Sequence, residues 1–230
     1  MMPYNGFMDS EPVSTNKNLR DFLVSRGADE AVRILDFSAE HWQVCDGKES
    51  GRTVCGADGD ATTVPNVKRA LELIIEGNRL RQKHSLPNLA VADELMAMAA
   101  VNANMSAVIK THWLGLREAY GLQYTGENLA WGYENPFAGW YEEEGRLYAA
   151  GSRTGTGHYL NLINPENEAA RNYTACGFAV TCRPGEMLTA CHEFATDYGP
   201  GNTPAGTRIT LEKAVSAEDY LNDFLRYAAG

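Results

Sequence analysis

The order of elements in this 230-residue chain predicts an α+β fold in which a small antiparallel sheet follows a set of helices. Two observations predict it. Apolar residues recur at helical spacing over 18–43, 64–84 and 92–111, before any strand pattern appears. In CGFAVTC, Cys176, Phe178, Val180 and Cys182 then alternate with smaller residues, which is the period of a strand. Pro184-Gly185 is a turn signal, and 188–196 returns as a second strand, so the sheet is a hairpin and not a βαβ repeat.

Composition bounds the function classes. Hydrophobic residues make up 44% and charged residues 22%, which excludes a collagen, a coiled coil and a low-complexity chain. A net charge of -10 argues against a nucleic-acid partner, since phosphate binding needs clustered Lys and Arg. No stretch approaches the roughly 20 apolar residues of a bilayer span, and residues 1–10 have neither the cationic nor the apolar region of a signal peptide.

Taken in order, 18–43 reads as two short helices broken at Gly27, with Leu19, Phe22, Leu23, Ile34 and Leu35 on their apolar sides. Residues 45–63 carry four glycines with Asp, Ser and Thr, and read as a loop or boundary. The helix over 64–84 has Pro65 in its first turn, and the helix over 92–111 is rich in Ala and Met, which suggests burial on more than one side. Met96, Met98 and Met105 read as packing. Residues 112–133 mix aromatics with glycines and have no period, as a site-forming loop does. A helix over 137–150 and a closing helix over 216–228, with Ser216 and Asp219 as a cap pair, complete the reading.

Of the five cysteines, Cys45 and Cys55 bracket a short loop suited to a disulfide, and the hairpin turn brings Cys182 and Cys191 together as a second pair, leaving Cys176 free. Such staples belong to an oxidising compartment. His112, Glu127, Glu142, Glu143, Glu144 and His158 fall in the least regular, most aromatic part of the chain. Two imidazoles and two carboxylates are a competent set for a divalent metal or for acid–base work. No HExxH spacing joins them, so a site must be assembled from separate elements.

Gly126-Glu127-Asn128-Leu129-Ala130-Trp131, then Trp140-Tyr141-x-Glu143, then Gly157-His158-Tyr159 resemble the signature of the CAP superfamily of cysteine-rich secretory, antigen-five and pathogenesis-related proteins, with SCP-like bacterial members. Asn78-x-x-Arg81, Leu86-Pro87-x-Leu89, Leu95 and Ala99 are similar to its first helices, and CGFAVTC to its penultimate strand.

The resemblance implies a three-layer α-β-α sandwich over residues 63–198, with an N-terminal helical extension and Gly-rich loop over 1–62 and a C-terminal linker and helix over 199–230. It implies a cleft tetrad of His112, Glu127, Glu143 and His158. Glu144 is the rival to Glu143: on a helix it lies about 40° from the Trp140 direction and Glu143 about 60° on the other side, while the family offset favours Glu143. The implied function is a secreted or surface-displayed binding module whose cleft holds a divalent metal, zinc foremost, and takes a lipid, a small molecule or a partner protein. The alternative is a metal-assisted hydrolase, peptidase or glycosidase, with Glu127 or Glu143 as general base.

Overall fold

A computed structural model of the chain describes residues 17–40, 53–113, 125–196, 211 and 213–230. The paired N-terminal helices are α1 (Leu19–Ser25), capped by the Asn18 side chain on the Asp21 amide, and α2 (Asp29–Glu40). Gly27, at φ +65°, makes the turn between them. α3 (Val64–Lys83) and α4 (Asp93–Ile109) match the two long apolar periods, and a two-residue strand β1 (Ala90–Val91) lies between them.

The irregular stretch expected over 112–133 ends instead in a strand, β2 (Thr125–Trp131), buried on both faces along most of its length. The expected third helix begins as a π-helical turn (Ala138–Glu143) and continues as α5 (Glu144–Ala149). A short α6 (Gly157–Ile163) follows, then the hairpin strands β3 (Ala175–Thr181) and β4 (Thr189–Ala195), and the closing helix α7 (Ala217–Ala229) with its Ser216 cap.

The sheet order is β1-β3-β4-β2. β3 and β4 are antiparallel, as the hairpin predicts; the additions are β2, antiparallel to β4, and β1, which pairs parallel to β3 and makes the sheet mixed. Helices cover both faces. On one side α4 lies directly on β3 and β4, with α2 outside it; on the other, α3 faces β3, and Phe137 and Leu162 close over Gly77 of α3.

The approach of α4 is set by Gly177. A Cβ there would stand 2.1 Å from the carbonyl carbon and oxygen of Leu95 and 2.4 Å from the Met96 nitrogen, all backbone atoms that cannot move aside. The Ala-rich sequence of α4 serves the same end, and Met96, Met98 and Met105 are packed in the core as expected.

Among the described residues, 17–36, 53–113, 125–196 and 213–230 contribute to one continuous core. Phe22 of α1 meets Tyr220 and Phe224 of α7 edge-on at 5.5 and 5.1 Å between ring centroids. Asp93, at the start of α4, accepts from Arg26 Nε (3.1 Å) and from the buried Tyr220 hydroxyl (2.7 Å), so one carboxylate joins three helices. The part of the Gly-rich segment that is described, 53–63, is pinned by fully buried Asp60, which accepts from the amides of Val54 and Thr62 and from Asn104 Nδ2, and pairs with Arg183.

Next to Asp93, burial pushes the Glu94 carboxyl up to about 7, with Asp93 and Glu30 adding to the effect and Lys213 opposing it. The folded value lies above the ordinary one, so the folded chain holds this proton more tightly. The stability it confers is present below about pH 4.5 and is lost as pH rises through about 7. Wild type should therefore lose on the order of 1 kcal/mol more than Glu94→Gln between pH 5 and 8, read as a Tm difference of about 2–4 °C that opens on the alkaline side. Parallel pH profiles for the two proteins would contradict it.

Candidate functional site

The site is organised by β2, an edge strand whose side chains alternate between the two faces of the sheet. Glu127 points to the α4 side, where its Oε2 accepts from Asn102 Nδ2 at 2.7 Å. Its Oε1 is bonded to His112 Nδ1. The Glu127 side chain is 2% exposed and that of His112 is 47% exposed, so the carboxylate is buried beneath a histidine that reaches solvent. Asn128 points the other way, donating to the His158 carbonyl at 3.1 Å and accepting from Asn161 at 2.9 Å.

His158 is bonded through Nδ1 to Glu144 Oε1 at 2.5 Å. Oε2 of the same carboxylate accepts from the backbone amides of His158 (2.9 Å) and Tyr159 (3.0 Å). α6 has no side-chain cap from Thr156, so Glu144 satisfies its first amides from another helix. The imidazole stacks on Trp140, with ring centroids 5.7 Å apart, and the Trp140 indole donates to the Leu129 carbonyl at 3.1 Å.

Glu144, not Glu143, therefore faces His158; Glu143 is exposed. The reason is the π-helical turn, whose wider spacing adds a residue between Trp140 and the inward glutamate.

The tetrad thus stands as two His–Glu pairs, His112 with Glu127 and His158 with Glu144. In each pair Nδ1 is held by a carboxylate, and Nε2 lies outside that bond. This is how a metal-ligating histidine is oriented by a supporting carboxylate, and the donor set fits a divalent ion in that way. Among the described residues no three ligand atoms of the tetrad lie within 4.8 Å of one another, so an ion held there would need further ligands from water or a bound molecule.

The group that does lie within 4.8 Å is Glu127, Cys191 and Glu193, all buried and able to hold a metal. Cys191 Sγ is 3.5 Å from Glu127 Oε2 and 3.7 Å from Glu193 Oε1, and Asn102 Nδ2 donates to Glu193 Oε1 at 2.6 Å. Glu193 and Asn102 were not singled out in the sequence, and Cys191 only as a disulfide candidate. The signal is a glutamate two positions from a cysteine in an otherwise apolar strand, ACHEFA, which puts both on one face. On the opposite face His192 is fully enclosed by Phe178, Phe194 and Trp140, and burial drives its pKa well below the ordinary range, keeping it neutral.

The cysteine pairing of the hairpin is corrected. The register sets Cys191 opposite Ala179 and Leu129, while Cys182 lies beyond the end of β3 with its amide bonded to Gly59. Cys55, Cys176, Cys182 and Cys191 form no disulfide, and Cys45 lies outside the described residues. Burial pushes the Cys176 thiol up to about 12.

The family model described as "CAP: Cysteine-rich secretory protein family" matches residues 76–192, half of the chain, from α3 through the middle of β4. The chain belongs to this family. A search of curated proteins finds no match to it. The two His–Glu pairs of this CAP domain come from segments inside the matched region.

Glu144→Gln removes a charge-assisted bond to His158 and weakens two amide bonds at the start of α6, and should cost about 1.5–3 kcal/mol. Glu143→Gln should stay within about 0.5 kcal/mol of wild type. Urea denaturation of both checks the assignment, and the reverse order would restore Glu143.

Proposed function

We propose that this CAP-family chain is an extracellular or cell-surface binding module whose cleft takes a divalent cation, zinc foremost, together with a lipid, a small molecule or a partner protein. The observation that carries the reading is the pair of imidazoles held through Nδ1 by buried or half-buried carboxylates, which leaves Nε2 of each ring as the nitrogen that would meet an ion. His112 and His158 are the residues that would hold the ion, with Glu127 and Glu144 behind them. A bound ion supplies a positive centre for an anionic or carbonyl group of a ligand.

An open groove of about 430 Å³, lined by residues adjacent in sequence to His158 and Glu144, supports an organic ligand. Tyr141, Gly145, Ala149 and Tyr159 form its apolar lining, and Glu142 and Arg146 its polar rim. Tyr159 follows His158 directly and Gly145 follows Glu144, so groove and histidine share the same two helices. No helix among the described residues is long and apolar enough to cross a membrane, and the net charge of -10 speaks against nucleic acid.

Hydrolysis with a glutamate base has less support. Both oxygens of Glu127 are engaged, by His112 and Asn102, and Glu143 stands outside the His158 pair. A general base needs a free oxygen within reach of its water.

Zinc titration of the full chain by calorimetry tests the reading. His158→Ala should weaken or remove a binding event, by about 10- to 100-fold where a ligand or its support is lost, and Glu144→Gln should do so to a lesser degree. Unchanged zinc affinity and stoichiometry in both variants would refute the cleft as a metal site.

A further inference from the structure

Beneath Glu127 the donors of a second, separate centre are assembled. Glu127 Oε2 and Glu193 Oε1 accept from one nitrogen, Asn102 Nδ2, at 2.7 and 2.6 Å. The same two oxygens lie 3.5 and 3.7 Å from Cys191 Sγ. A tetrahedral zinc with sulfur at about 2.3 Å and oxygen at about 2.1 Å holds those ligand atoms roughly 3.6 Å apart. The sulfur–oxygen spacings are therefore already those of a loaded centre. The β2–β4 register sets Glu127 opposite Glu193, and the two-residue strand period brings Cys191 to the same face.

The second observation is the other end of Asn102. Its Oδ1 is fully buried and accepts no hydrogen bond among the described residues, although the amide reaches into the middle of the group. Half a turn about the last side-chain torsion exchanges Nδ2 for Oδ1 and sets a carbonyl oxygen against both carboxylates. Three oxygens and a sulfur so arranged are stabilised by a cation. With Nδ2 inward the amide clamps the two carboxylates and leaves Oδ1 without a donor; with Oδ1 inward it becomes a fourth ligand to the cation, and Nδ2 takes the outer position, a cost that the metal–ligand bonds must exceed.

We propose that Glu127, Cys191, Glu193 and the Asn102 carbonyl form a buried site for a thiophilic divalent cation of the zinc type. His112, half exposed and bonded to the outer oxygen of Glu127, fixes that carboxylate and marks the route from solvent. On binding, a metal–sulfur bond replaces the sulfur–hydrogen bond of Cys191 and the proton leaves to solvent, with no change of oxidation state. Magnesium and calcium are selected against, because they favour more numerous, all-oxygen ligand sets. The site shares Glu127 with the cleft but not His158 or Glu144, so each reading can fail without the other.

Cobalt(II) binding to the reduced full chain is the test, because a cobalt–thiolate bond gives a charge-transfer absorption that histidine and carboxylate ligands lack. Wild type should show that band and lose it to added zinc. Cys191→Ser should abolish it, Glu193→Gln should weaken cobalt binding by at least about 10- to 100-fold, and Cys182→Ser and His158→Ala should retain it. A wild-type cobalt complex without the band overturns the proposal, as does a band that survives Cys191→Ser. If Cys191→Ser fails to fold, Glu193→Gln decides, since unchanged cobalt affinity in that near-isosteric variant contradicts the site.

Discussion

The separation between α4 and the sheet governs the rest of this structure. At Gly177 the helix backbone and the strand backbone are in direct contact, with no side chain between them. Ala97, Ala100 and Ala103 keep the helix slim, and all three are fully buried. Only at that distance does a side chain as short as asparagine reach across. Asn102 then meets Glu127 from β2 and Glu193 from β4, and Asn104 meets Asp60 and the 53–63 turn. Buried polar groups of this kind are tolerable only when their partners are held in place.

From that constraint the functional geometry follows in two steps. Glu127 is fixed from below by Asn102 and so holds His112 from one side, at the solvent boundary. On the other side of β2, Asn128 ties the edge strand to the His158 carbonyl, and Glu144 holds the imidazole against Trp140. Sheet and helices thus position two histidines through two carboxylates. The flanking helices contribute through Asp93, whose bonds to Arg26 and Tyr220 anchor the start of α4.

Much of this was legible in the residues. α3 and α4 follow from their apolar periods, and the hairpin from the alternation in CGFAVTC and the turn at Pro184-Gly185. β2 was not, because Gly126 and Asn128 are poor strand formers and burial on both faces erases alternation. α6 was hidden because its cap comes from Glu144, fourteen residues earlier, instead of a local Ser or Asp. Motif order named His112, Glu127 and His158, which the fold sets in His–Glu pairs, whereas the bonding of Glu144, not Glu143, to His158 goes with a π-helical turn that the sequence does not announce. Glu193 was missed for a related reason: a charged residue in a strand reads as solvent-facing until the sheet is known to be covered on both sides.

The whole arrangement depends on α4 lying in contact with β3, and Gly177→Ala measures this most directly. One methyl group introduced there meets the Leu95 backbone, so the helix must move off the sheet and take Asn102 with it. Equilibrium urea denaturation should show a loss of about 3 kcal/mol or more, above the usual range for a single added methyl group. A Gly177→Ala protein within about 0.5 kcal/mol of wild type would show that the contact is not a constraint and would contradict the account.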